Sequence, residues 1–103
     1  MILWSDSIAQ QLAIPPLYST QEMSIKNKLI VAKFFSPYNG WTWYVTEGCK
    51  EEYGWLFFGL VDGFEREWGY FTLEELSISK NGLPLVERDL YWTPKTMAEA
   101  GLV

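Results

Sequence analysis

The chain predicts an α+β fold built on an antiparallel meander of four to five strands. Three observations carry that prediction. The stretch Phe34 to Phe71 holds 14 of the 18 Phe, Trp and Tyr residues in 38 positions, a density suited to strands rather than surface helices. Turn signals interrupt it at Asn39-Gly40 and Asp62-Gly63, which suit tight hairpins. The connections between its apolar runs are too short for the crossover helices of a parallel sheet. Short helices are expected at the N-terminus, after the last long strand and at the C-terminus.

The elements follow in order. Ser5 or Asp6 can cap a helix ending near Ile14, with Ile8, Ala9 and Leu12 on its inner face. Pro15-Pro16 stops it and stiffens the connection, and Leu17 and Tyr18 are expected to pack on the core. Residues 19–27 read as a loop or a single helical turn. The first strand is Leu29 to Ser36, with Ile30, Ala32 and Phe34 on one face. The second is Trp41 to Thr46, with Trp41, Trp43 and Val45 on its more buried face. Residues 47–54 read as a charged loop, Trp55 to Val61 as the third strand and Phe64 to Phe71 as the fourth, with a bulge or close backbone approach at Gly69. Thr72 and Glu75 have capping-box spacing for a short helix stopped by Asn81-Gly82. Leu90 to Trp92 suggests a fifth strand. Thr93-Pro94 opens a brief helix to Ala100, ended by Gly101.

Length and composition bound the function. At 103 residues one domain, 1–103, is expected. Half the chain is apolar, which argues against disorder. The net charge of −5 argues against direct nucleic-acid binding, which needs a basic surface. Charge is uneven: residues 41–79 hold eight acids against Lys50 and Arg66, so the aromatic region is also the acidic one. One cysteine, Cys49, leaves no intramolecular disulfide and fits a reducing cytoplasm. No signal peptide or membrane-spanning run is read, so no membrane partner is expected.

The chemistry is narrowed mostly by exclusion. There is no histidine, so the commonest general base and metal ligand are missing, and Cys49 has no partner to activate it. No catalytic residue and no cofactor are assigned. Asp62, Glu65, Glu67 and Glu74 form the best alternative, a carboxylate set for a divalent metal in an enzyme. Glu65 and Glu67 share a strand face, but acids there also read as a solvated face. Arg88 is expected to form a structural ion pair with Glu87, Asp89 or Glu67. The favoured candidates are Trp41, Trp43, Tyr44, Glu47, Glu65 and Glu67, an aromatic and acidic surface for a protein partner with a basic, apolar face. A homo-oligomer using the same surface as its own interface is the third reading.

Five ordered stretches carry a family resemblance. They are PPLYS (Pro15 to Ser19), AKFFSP (Ala32 to Pro37), NGWTWYVTEG (Asn39 to Gly48), LFFGLVDGFEREWGYFTLEEL (Leu56 to Leu76) and GLPLVERDLYW (Gly82 to Trp92). Together they make the chain resemble the bacterial domain of unknown function family 2958. The resemblance implies a small bacterial protein, often carried on plasmids, phages or other mobile elements. It implies no activity and no catalytic residues. The function expected from residues and resemblance together is a non-catalytic protein-binding or inhibitory accessory module of such an element.

Overall fold

The computed structural model describes residues 2–103. Its centre is a five-stranded antiparallel sheet built from β2 (Ala32–Phe35), β3 (Thr42–Glu51), β4 (Gly54–Asp62), β5 (Arg66–Thr72) and β8 (Glu87–Arg88), in the order β5-β4-β3-β2-β8. The meander is therefore as expected, but its fifth strand is Glu87–Arg88 and not Leu90 to Trp92. Two smaller pairings frame it. β1 (Leu29–Ile30) pairs with β9 (Lys95–Thr96), and β6 (Ser79–Lys80) pairs with β7 (Leu83–Pro84).

Helices are fewer and shorter than expected. α1 spans Asp6–Leu12; the Ser5 hydroxyl accepts from the Ile8 N–H at 3.1 Å, and Ala13 closes the helix in the left-handed region. α2 is a single turn, Leu73–Leu76, with the Thr72–Glu75 capping box complete. The expected C-terminal helix is replaced by β9 and a turn. Thr96 and Glu99 bond reciprocally as a capping box would, but Gly101 at φ 72° ends the turn immediately. Residues 25–27 form one 3-10 turn.

The two Asn-Gly signals exchange roles. Asn81 and Gly82 both take positive φ, 54° and 78°, and so form the tight two-residue turn between β6 and β7 rather than a helix stop. At residues 39–40 only Gly40 is positive, and the connection from Phe35 to Thr42 is a wider loop.

The largest departure is in β3. Residues 47–51, read as loop, continue the strand, and only Glu52 and Tyr53 turn before Gly54. A bulge between Val45 and Glu47 leaves Thr46 without a partner residue and inverts the alternation beyond it. Thr46 is buried, and its hydroxyl donates to the Phe58 carbonyl at 3.1 Å. Gly69 carries no bulge; it sits opposite Gly59 in regular register. Gly59 is the position of close approach, because a Cβ there would stand 1.8 Å from the Tyr44 carbonyl oxygen.

Each face of the sheet has its own cover. One face presents Phe34, Val45, Phe57 and Phe71 to α1, Trp4, Leu76 and Val86. Phe57 is at its centre, edge-on to Trp4 at 5.0 Å and stacked on Trp55 at 6.1 Å. Asp6 of α1 ties down its rim by accepting from Lys50 at 2.7 Å and from Trp55 Nε1 at 3.0 Å. The opposite face presents Leu60, Tyr44 and Trp68 to Ile30, Met97 and Trp92. Ile30 thus leaves the side of Ala32 and Phe34, because β1 and β2 break at Val31.

Candidate functional site

The sheet separates the six favoured residues. Trp41 and Trp43 lie together, ring centroids 6.0 Å apart. Glu67 is opposite Val61, which is in turn opposite Trp43, so Glu67 shares their face. Glu65 is in the turn before β5 and exposed. Tyr44 points to the other face, against Trp92. Glu47 is also on that other face, turned over by the bulge, and is only 3% exposed.

Glu47 is a pin and not a surface acid. Its carboxylate accepts from the Tyr18 N–H at 2.8 Å, the Thr20 N–H at 2.9 Å and the Thr20 hydroxyl. Lys28 Nζ is buried beside it and donates to the Thr20 carbonyl and hydroxyl. Burial alone would raise the Glu47 carboxyl. The Thr20 hydroxyl, the two N–H groups and the Lys28 charge outweigh it and hold the carboxyl below its ordinary value. The network fixes residues 18–28 over the sheet. Tyr18, expected in the core, is instead 59% exposed, with its ring 6.3 Å from Tyr70. Beneath this segment is a cavity of about 240 Å³ lined by Ile25, Lys28, Glu47, Phe58, Trp68 and Tyr70.

The exposed aromatic surface adjoins the other face of the sheet, beside Trp43 and Val86. Phe64 is 95% exposed at the β4–β5 turn, edge-on to Trp41 at 5.3 Å. Trp41 lies over Gly63, where a Cβ would meet its ring at 2.7 Å. From Trp41 the apolar surface continues into a cleft of about 280 Å³ lined by Tyr38, Trp43, Ile78 and Leu85. It then passes to a second cleft of about 460 Å³ lined by Tyr38, Lys80, Leu83 and Leu85. Tyr38, Ile78 and Leu83 are each at least half exposed. Tyr38 is readable as a loop aromatic, since it sits inside the Pro37-to-Gly40 turn signal, whereas Phe64 reads as the first residue of the fourth strand and lies instead in the turn before β5. Ile78 and Leu83 are not readable in the sequence, because only the β6–β7 hairpin brings them beside Tyr38.

The remaining candidates do not assemble. Asp62 Oδ2 accepts from Arg66 Nε at 3.3 Å, and Glu74 sits in the first turn of α2. Among the described residues no group of three or more His, Cys, Asp or Glu side chains is placed to hold a metal ion. Arg88 does not form its expected ion pair; its Nε donates to the Leu3 carbonyl at 3.1 Å, and Asp89 instead faces Lys33 at 3.9 Å. Cys49 is free, and its Sγ accepts from the Leu17 N–H at 3.3 Å. No helix among the described residues is long and apolar enough to cross a membrane.

Residues 4–99 match the family model described as "Protein of unknown function (DUF2958)". The chain belongs to that family, as its five motifs suggested. No curated protein and no solved structure matches it.

Proposed function

We propose that this protein is a non-catalytic protein-binding module that docks a partner through the surface formed by Tyr38, Trp41, Phe64, Ile78 and Leu83. The observation that carries the reading is Phe64, almost fully exposed yet held edge-on by Trp41. A lone exposed apolar residue is ordinary, whereas a continuous apolar surface with aromatic anchors is typical of interfaces. The acids Asp62, Glu65 and Glu67 beside it, and the net charge of −5, favour a partner whose apolar surface is ringed by bases. The resemblance of the five motifs to a bacterial, mobile-element family supports an accessory or inhibitory role for such an element. The acid set is dispersed, so the metal-enzyme alternative has no arrangement behind it.

The test is affinity capture from lysate of a bacterial host, at low and high salt, with the wild-type chain beside Phe64→Ala and Trp41→Ala. The reading requires a partner that binds the wild type, is weakened by salt and is lost from both variants while their folding is unchanged. Equal capture by all three chains would remove this surface from the function. A mass that rises with concentration and falls back on Phe64→Ala would make the surface a self-interface instead.

A further inference from the structure

We propose that the free edge of β5 is a strand-addition site that takes an extended, apolar segment of a partner protein flanked by basic residues. The strand edge adjoins the Trp41–Phe64 surface and shares its acids Asp62, Glu65 and Glu67, but it offers backbone groups rather than exposed rings and goes beyond the function proposed above.

β5 is the last strand of the sheet and pairs only with β4. Its hydrogen-bonding direction can be worked out. The Thr72 N–H bonds to Glu75 Oε1 at 3.1 Å, so it turns away from β4. An antiparallel ladder alternates, so Tyr70 and Trp68 also turn their N–H and C=O groups outward, while Phe71, Gly69 and Glu67 bond to β4. Among the described residues nothing bonds to those outward groups. The strand is seven residues long with regular register, no bulge and no proline. Bulges, prolines and very short strands are devices with which edge strands block pairing, and β5 uses none of these; its charges, Arg66 and Glu67, stand at its first two positions. Only an extended backbone can satisfy alternate donors and acceptors in this row.

The side chains supply the second half of the argument. Trp68 and Tyr70 point to the face that carries the 240 Å³ cavity and line it with Phe58, stacked on Trp68 at 5.8 Å. A strand added beside β5 would place alternate side chains against this aromatic row, where an apolar or aromatic group gains most. Charge decides between a foreign segment and a second copy. From Asp62 to Glu75 there are five acids and one base, Arg66. Antiparallel pairing of two copies about Gly69 would set Glu67 of one opposite Phe71 of the other and Glu65 opposite Leu73, next to Glu74 and Glu75. Like charges brought together across a pairing oppose it. A segment with Lys or Arg at its ends meets the same acids favourably.

The probe is a library of nine-residue peptides with Lys at both ends and Val, Phe or Tyr alternating with Thr between them. It is added to the full chain and followed by amide spectra and hydrogen exchange. The expected result is that bound peptide slows exchange at the Trp68 and Tyr70 amides and leaves those of β3 unchanged. Tyr70→Pro deletes one outward donor without touching the β4 ladder. It should weaken the best peptide by about tenfold more than Tyr70→Ala does, roughly the effect of losing one hydrogen bond. A peptide N-methylated along one edge should fail to bind the wild type, a control that does not depend on any variant folding. No protection at Trp68 and Tyr70 with any peptide, or equal binding of the methylated peptide, would overturn the proposal. Slow exchange of those amides without peptide, growing with protein concentration, would overturn it in favour of self-pairing.

Discussion

The aromatic cluster around Phe57 and the aromatic surface around Trp41 are made from the same residue types on one face of one sheet, yet they have opposite fates. Phe57 is fully buried, with Trp4, Phe34, Trp55 and Phe71 within 6.1 Å. Phe64, at the end of that face, touches Trp41 and is otherwise open. The difference is what stands opposite. Trp4 and α1 close over Phe57, whereas only the β6–β7 hairpin approaches the Trp41 end, and it leaves clefts on its flanks. Aromatic content therefore does not assign a role; cover does. The same contrast predicts that substitutions in the first region act on folding and those in the second on binding.

The largest effects are expected under the cover. Phe57→Ala removes the ring on which the whole cluster rests and should cost about 3–5 kcal/mol. Urea unfolding measures this directly, and a cost under about 1 kcal/mol would break the distinction between the regions. Gly59→Ala is expected to be at least as damaging. Its Cβ would overlap the Tyr44 carbonyl at 1.8 Å, and that obstacle is backbone, which cannot rotate away. β3 and β4 would have to part or slip, so the variant should show altered amide spectra along both strands.

On the opposite face the decisive group is polar. Glu47→Gln leaves the shape intact but replaces a charged acceptor of three hydrogen bonds by a neutral amide. The expected cost near neutral pH is about 1–3 kcal/mol. The Glu47 carboxyl is held below its ordinary value of 4.5 in the fold, so its stabilisation is complete above that pH. It is lost as pH falls below 4.5 through the folded value, because the fold must then accept a proton it disfavours. The gap between wild type and Glu47→Gln should narrow over that interval in unfolding curves taken from pH 6 to pH 3. A gap that stays constant would mean that the carboxylate charge is not what fixes residues 18–28.

The sequence made some of this legible, and the reasons are local. Period-two apolar runs placed the strands, and Thr72 with Glu75 placed α2, because each signal is completed within a few residues. The bulge at Thr46 has no such signature. Without it, Glu47 would continue on the Trp43 face as a surface acid; with it, Glu47 turns over into the Thr20–Lys28 network. Residues 47–51 read as loop for their charge, yet part of that charge ties the strand to helix α1 at the surface, as in the Lys50–Asp6 contact. The C-terminal turn carries helix signals that lose to pairing with Leu29 and Ile30, partners 67 and 65 residues away. The proposed docking surface is half legible. Alternation sets Trp41 and Trp43 on one face and Tyr44 on the other, as the sheet does, but grouping Tyr44 with them as one surface fails, and Phe64 reads as the start of a strand.

The smallest expected effect on folding belongs to Phe64→Ala, and it is the sharpest test of the comparison. The ring is 95% exposed and its one aromatic neighbour, Trp41, keeps its own contacts with Trp43 and with the backbone at Gly63. Removing it uncovers little apolar area, so stability should change by no more than about 0.5 kcal/mol. Thr72→Ala, which removes an exposed cap, should cost more, about 1 kcal/mol. The order Phe57→Ala, Glu47→Gln, Thr72→Ala, Phe64→Ala in unfolding midpoint is thus fixed by cover and bonding rather than by residue size. Were Phe64→Ala to destabilise more than Thr72→Ala, the ring would be supporting the β4–β5 turn. Its exposure would then be structural, and the docking surface would lose its principal anchor.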